Sequence, residues 1–226
     1  MLFKDPPVFY NDAGFIPQNP ANYFQQKYPK LKRDNKTNYI ESFRDFLFNS
    51  SDSCFAREIS NWVDIQSVID WHIILLFTNN ADGIMKNFYL YKIDKNTPFR
   101  FAIWDYDHSF GRDGDNELNM AETELDWQRS ILLKRLCEIP ETGYTDKLKT
   151  RWFQLRKSNI ISLENFRKHI NNNGVIIRKA VYENFAMWPI DSEWYFDSNT
   201  YQQEIDLMLQ FVERRLPELD EYISKL

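Results

Sequence analysis

Asn79-Asn80-Ala81-Asp82-Gly83-Ile84-Met85-Lys86-Asn87, then Phe88-Tyr89-Leu90-Tyr91, and after a polar turn Phe99-Arg100-Phe101-Ala102-Ile103-Trp104-Asp105-Tyr106-Asp107: this stretch decides how the chain is read. Phe88 to Ile93 and Phe99 to Ile103 are short aromatic and aliphatic runs. Asp94-Lys95-Asn96-Thr97-Pro98 between them supplies turn chemistry, so the spacing predicts a β-hairpin. An Asp followed five residues later by an Asn precedes the hairpin, and an acidic Trp-Asp-Tyr-Asp closes it.

Upstream, Asp64 is a good N-cap for a helix whose Ile65, Val68, Ile69, His72, Ile73, Leu75 and Leu76 leave a broad apolar face. That helix is expected to be mostly buried and to deliver the chain to Asn79, with His72 as a hydrogen-bonded core residue. Tyr39, Ile40, Phe43, Phe46 and Leu47 recur near helical spacing and predict an earlier helix from Tyr39 to Phe48. Before it, residues 1–37 contain Pro6, Pro7, Pro17, Pro20 and Pro29, a density that predicts a loop-like lead-in. It opens on Leu2-Phe3-Lys4, which reads as the end of a strand.

Downstream, Arg112-Asp113-Gly114-Asp115-Asn116-Glu117 reads as a solvated polar loop, and everything beyond it as helix. Gln128 to Glu138 is stopped by Pro140, and Tyr144 to about Asn159 follows. Ser162 caps a long segment to Trp188, with Gly174 as a possible interruption and Pro189 ending it. Thr200 to Ile223 is the last helix, with Pro217 as a break or kink. The fold class is therefore mainly α with a small β-hairpin. We divide one domain into a proline-rich lead-in (1–37), helices (38–78), the central stretch (79–111) and a helical remainder (112–226).

Composition narrows the partners. A net charge of -5 argues against nucleic acid, which needs a basic stripe, and Lys30-Leu31-Lys32-Arg33 is too short to supply one. No apolar run reaches the ~18 residues that a membrane helix needs. Cys54 and Cys137 are too few for a disulfide framework or a zinc site. Histidines at 72, 108 and 169, on different elements, speak against metal-dependent hydrolysis.

The central stretch has the order of a kinase-type phosphoryl-transfer site. Such a site needs one carboxylate for the attacking hydroxyl, and an Asn and a second carboxylate for the metal ions. Asp82 and Asn87 have the spacing of the first pair, and Asp105 follows the hairpin. Lys86 lies where a cation could meet a transferring phosphoryl group. Each signal also has a bland reading: Asp82 before Gly83 as a turn residue, Asn87 as a backbone-bonding residue, Asp105 and Asp107 as loop caps. There is no His-Arg-Asp, and Trp-Asp-Tyr-Asp stands in place of Asp-Phe-Gly.

Asn80-x-Asp82-x4-Asn87-Phe88-Tyr89-Leu90-Tyr91, then Phe101-x2-Trp104-Asp105-x-Asp107-x-Ser109-Phe110-Gly111, resembles the spore-coat protein H (CotH) kinase family. The resemblance implies the large lobe of an atypical protein-kinase-like fold that uses ATP with Mg or Mn to phosphorylate serine on a protein substrate or coat protein. By motif it implies Asp82, with Lys86, as catalytic residues, and Asp105 and Asn87 as metal ligands. Asp107 would ligate metal or cap the turn, and Trp104 would pack beneath the nucleotide or in the core. It implies a bacterial spore-coat or extracytoplasmic location. No Gly-x-Gly-x-x-Gly or Val-Ala-x-Lys-like strand precedes Asp82, so the expectation is a large lobe without its nucleotide lobe, with little or no kinase activity by itself. The alternative is a non-catalytic, surface-associated binding or structural module that uses Trp188, Trp194 and Tyr195 for contacts.

Overall fold

The computed structural model describes residues 1–4, 25–112, 125–189 and 199–226, which pack as two compact units. The protein is mainly helical with one small antiparallel sheet. Residues 1–76, 80–106 and 125–148 form the first unit; 77–79, 107–124 and 149–226 form the second.

The first unit is built around the sheet. The hairpin forms as its sequence predicts: β3 (Phe88–Tyr91) runs antiparallel to β4 (Arg100–Ile103), with Phe88 opposite Ile103 and Leu90 opposite Phe101. It does not stand alone. β1 (Leu2–Lys4) pairs with β3, and β2 (Gln25–Tyr28) pairs with β1, giving the order β2-β1-β3-β4. The strand read from Leu2-Phe3-Lys4 is present, and Phe3 is fully buried against Phe99. β2 corrects the loop-like reading of the lead-in. Its Gln-Gln-Lys-Tyr sequence has no apolar alternation because it is a polar edge strand, with Lys27 and Tyr28 exposed. The rest of the proline-rich segment, residues 5–24, lies outside the described residues.

Among the described residues, three helices precede the central stretch. α1 (Thr37–Asn49) buries Ile40, Phe43 and Leu47. α2 (Asp52–Trp62) is absent from the sequence reading, although Ser51 caps it through the Cys54 amide and Phe55, Ile59 and Trp62 follow helical spacing. α3 (Ile65–Thr78) begins where Asp64 predicts, its carboxylate accepting from the Ser67 amide at 3.0 Å. The α2–α3 junction is stitched to the hairpin. Phe99 N donates to Trp62 O, Asp64 N donates to Phe99 O, and Phe101 N donates to the Ser67 hydroxyl at 2.8 Å. Trp71 then fills the space beneath the strands, stacked on Phe101 at 4.2 Å and tilted against Phe88 at 5.3 Å. His72 is fully buried, its Nδ1 3.1 Å from the Tyr144 hydroxyl, as expected of a core histidine. α5 (Ile131–Glu138) is capped by Ser130 and ends before Pro140.

In the second unit, Phe77, Phe110, Phe166 and Phe211 form a cluster of edge-on and tilted rings. α6 (Tyr144–Lys157) contributes Trp152 and Arg156, which both donate to Asp220 of α8 (Tyr201–Lys225). α7 (Leu163–Met187) is capped by Ser162 as read, but Gly174 does not interrupt it. A Cβ on Gly174 would lie 3.3 Å from the Tyr201 hydroxyl, so this glycine serves a close helix approach. α8 likewise continues through Pro217 without a break. Arg112, read as the start of a solvated loop, is instead mostly buried and forks onto the Glu204 carboxylate. Asp113 and Asp115 lie outside the described residues.

Candidate active site

Asp82 opens a single helical turn, α4 (Asp82–Met85), rather than lying in an irregular loop. Asn80, fully buried, sets up that turn: its Oδ1 accepts from the Gly83 amide. Trp71 Nε1 donates to Gly83 O at 3.3 Å, so the same indole that supports the hairpin also anchors α4. Gly83 has no room for a side chain. A Cβ there would lie 2.7 Å from both Leu75 Cδ2 and the Tyr106 hydroxyl. Tyr106 fills the floor of the turn, and burial pushes its phenol well above the usual range.

On this base the side chains divide into pairs. Lys86 Nζ lies 2.9 Å from the Asp82 carboxylate one turn earlier; Lys86 is more than half exposed and Asp82 mostly covered. Asn87 N donates back to Asp82 O, closing α4 onto the first residue before β3. Asn87 Nδ2 then crosses to the far end of the hairpin and donates to Asp105 O at 2.6 Å. Asp105 adopts φ 58°, in the left-handed region, where Asp is among the more tolerant residues. The Asn87 amide fixes this turn, and the Asp105 side chain stays exposed. The backbone-bonding reading of Asn87 is seen in this contact, and its oxygen takes no hydrogen bond from the described residues.

Trp104 is on the surface, 48% exposed, edge-on to Tyr89 at 5.7 Å with Lys4 Nζ 5.7 Å from its ring. Of the two places expected for it, the core is excluded. Asp107 falls in the second unit, where its exposed carboxylate lies 3.7 Å from His108 Nε2. Sequence reasoning missed the roles of Asn80 and Tyr106. The Asn80 spacing to Gly83 is the signal that could have found the Asx-type turn.

Asn87 Oδ1 and the Asp105 carboxylate are hard oxygen donors. Mg²⁺ is usually held by one or two carboxylates and completes its shell with phosphate and water oxygens, so this donor pair suits it. No group of three His, Cys, Asp or Glu side chains placed to hold a metal occurs among the described residues.

A family model described as CotH kinase protein matches residues 11–219. The chain belongs to the CotH kinase family. The family read from Asp82-x4-Asn87 and Trp104-Asp105 is thus the one that the match over residues 11–219 gives. The chain is also similar to Inner spore coat protein H of Bacillus subtilis (strain 168), at 23% identity over 232 residues. That match covers 98% of this chain and 61% of the relative, so this CotH-family chain spans less than two thirds of that protein's length. No helix among the described residues is long and apolar enough to cross a membrane.

Proposed function

We propose that this CotH-family chain carries the acid/base and metal half of a site that transfers the γ-phosphoryl group of ATP to serine on a protein, the partner class being a coat or surface protein. The observation that supports this best is the Asn87–Asp105 bond. It joins, across the hairpin, the two residues whose order and spacing match the metal-binding pair of a kinase-type site. Lys86 at the Asp82 carboxylate adds the second element, a carboxylate held in one orientation by a neighbouring cation.

In this reading Asp82 accepts the proton of the serine hydroxyl as its oxygen attacks the γ-phosphorus, while the bond to the β–γ bridging oxygen breaks and ADP leaves. Lys86 orients Asp82 and offsets negative charge that develops on the transferring group. Asn87 Oδ1 and Asp105 would hold Mg²⁺ or Mn²⁺, which when bound neutralises phosphate charge. The edge of Trp104, presented to solvent beside Asp105, offers an apolar surface for the nucleotide. All of these residues belong to the first unit.

Thermal unfolding of the purified protein with Mn²⁺ or Mg²⁺, with and without ATP, tests the reading. We expect stabilisation that is lost in Asp105→Asn, a substitution that still tolerates the left-handed backbone, and kept in Asp82→Asn. No stabilisation by either metal, alone or with ATP, sinks the proposal. It would favour the second reading, a surface-associated binding module, which the exposure of Trp104 and of Trp188 (64%) supports. Trp194 and Tyr195, named for that role, lie outside the described residues.

A further inference from the structure

In the second unit, α7 runs for 25 residues without fully burying any of them, although α8, of the same length, buries six. The half-covered residues of α7, Phe166, Ile170, Gly174, Val181 and Phe185, recur at helical spacing. They mark the side on which Gly174 approaches Tyr201 of α8. The opposite side is not the polar surface that a solvated helix face presents. Val175 (66% exposed), Ile176 (78%), Tyr182 (78%) and Met187 (64%) lie there, with Lys179 and Glu183 among them. At about 100° per residue these six side chains form one stripe, centred opposite the side that meets α8. Most helical stability in proteins comes from packing an apolar face, and this stripe packs on no other element among the described residues.

The order of charges along the stripe says what fits it. Val175 and Ile176 come first, then Lys179 and Glu183, then Met187, with Lys179 Nζ 3.5 Å from the Glu183 carboxylate. A second copy of α7 laid antiparallel, with a two-fold axis beside Val181, puts each Lys179 against the other copy's Glu183. The four charges then alternate in sign around a square. The same axis sets Val175 of each copy opposite Met187 of the other, with Ile176 beside it, so apolar contacts flank the square at both ends. A parallel alignment would instead oppose lysine to lysine and glutamate to glutamate, which charge complementarity forbids. A patch that matches itself about a two-fold axis is what an isologous contact needs, and such a contact closes at two copies. With the stems of Lys179 and Glu183, the stripe offers on the order of 700 Å² per copy, against the ~800 Å² a side of a standard interface. That area is enough for a specific, reversible dimer.

We propose that this face of α7 binds the same face of a second copy of the chain, antiparallel and about a two-fold axis. The inference is independent of the phosphoryl-transfer reading and of any nucleotide. Sedimentation equilibrium of the purified protein, from micromolar to millimolar, tests it. Expected is a reversible monomer–dimer equilibrium. Ile176→Asp should weaken it about tenfold or more, and so should Lys179→Glu or Glu183→Lys alone, each of which sets like charges against one another. An equimolar mixture of those two charge variants should dimerise again, because one copy then carries two acids where the other carries two bases. All three positions are exposed, so the variants keep the fold, which far-ultraviolet circular dichroism checks. A monomer throughout the range overturns the proposal and leaves the face to a different partner. So does a dimer that Ile176→Asp or both charge variants leave unchanged, since another face or another register then forms it. Failure of the mixed charge variants to associate overturns the antiparallel pairing.

Discussion

At the residue scale, two positions in the central stretch carry opposite backbone demands. Gly83 lies in a helical turn, where alanine is intrinsically better by up to ~1 kcal/mol. Yet a Cβ would stand 2.7 Å from two packed side-chain atoms, and overpacking of that kind costs about 1–3 kcal/mol. Overlap outweighs propensity, so Gly83→Ala should lower stability by up to about 2 kcal/mol, read as a lower urea midpoint at unchanged slope. Relieving the contact with Tyr106→Phe in the same chain should recover part of the loss. Asp105 is the reverse case. Its left-handed backbone favours glycine and disfavours a plain Cβ by about 1 kcal/mol. Asp105→Gly should therefore unfold at the parent's midpoint or above it, and Asp105→Ala below it, although both lose the metal response. If both variants are equally destabilised, the carboxylate contributes to the fold and is not reserved for a ligand.

At the element scale, the helices α7 and α8 show how packing overrides local signals. Pro217 lacks an amide to donate and crowds the carbonyl of Glu213, a combination that costs up to ~3 kcal/mol in a helix interior. α8 nevertheless runs from Tyr201 to Lys225, because Leu209, Val212, Leu216, Leu219 and Ile223 bury one continuous face. Since Pro217 itself is exposed, Pro217→Ala should raise stability by about 1–3 kcal/mol, measured as a higher urea midpoint at unchanged slope. The other end of α8 depends on a capping box, with Thr200 Oγ1 accepting from Gln203 N and Gln203 Oε1 accepting from Thr200 N. Thr200→Ala should cost about 1 kcal/mol, read as faster amide exchange over the first turn. These helix starts were legible: Asp64 and Ser162 cap where the sequence places them, and Thr200, read as the first residue of the last helix, is its N-cap. α2 was also legible in principle, from Ser51 and the Phe55, Ile59, Trp62 spacing.

At the scale of the whole molecule, stability should respond to pH through one buried histidine. Burial pushes His72 down to about 3 from its ordinary 6.5. The folded chain therefore keeps it neutral, while the unfolded chain takes up a proton below pH 6.5. Its contribution is fully present above pH 6.5 and is lost as pH falls towards 3. Between pH 7 and pH 5 the loss should be about 2 kcal/mol. His72→Asn, which keeps a partner for the Tyr144 hydroxyl, should unfold with a flatter pH dependence over that window. An unchanged slope would show that His72 is not the group that titrates.

The sequence by itself determined the hairpin, most helix starts, the exclusion of a long apolar span and the order Asp82, Asn87, Asp105. Each of these rests on local chemistry: turn residues, caps, periodicity and spacing along the chain. Only the tertiary structure decided that β1 and β2 extend the hairpin into a sheet, because strand pairing between distant segments leaves no mark in a polar edge strand such as Gln25–Tyr28. Only it decided that Trp104 faces outward and Arg112 inward, since an aromatic or a cation in a short loop is buried or exposed according to what folds over it. The bond from Asn87 to Asp105 belongs to both levels. Spacing put the two residues at the ends of one hairpin, and the left-handed turn at Asp105 brought its carbonyl within reach of the Asn87 amide.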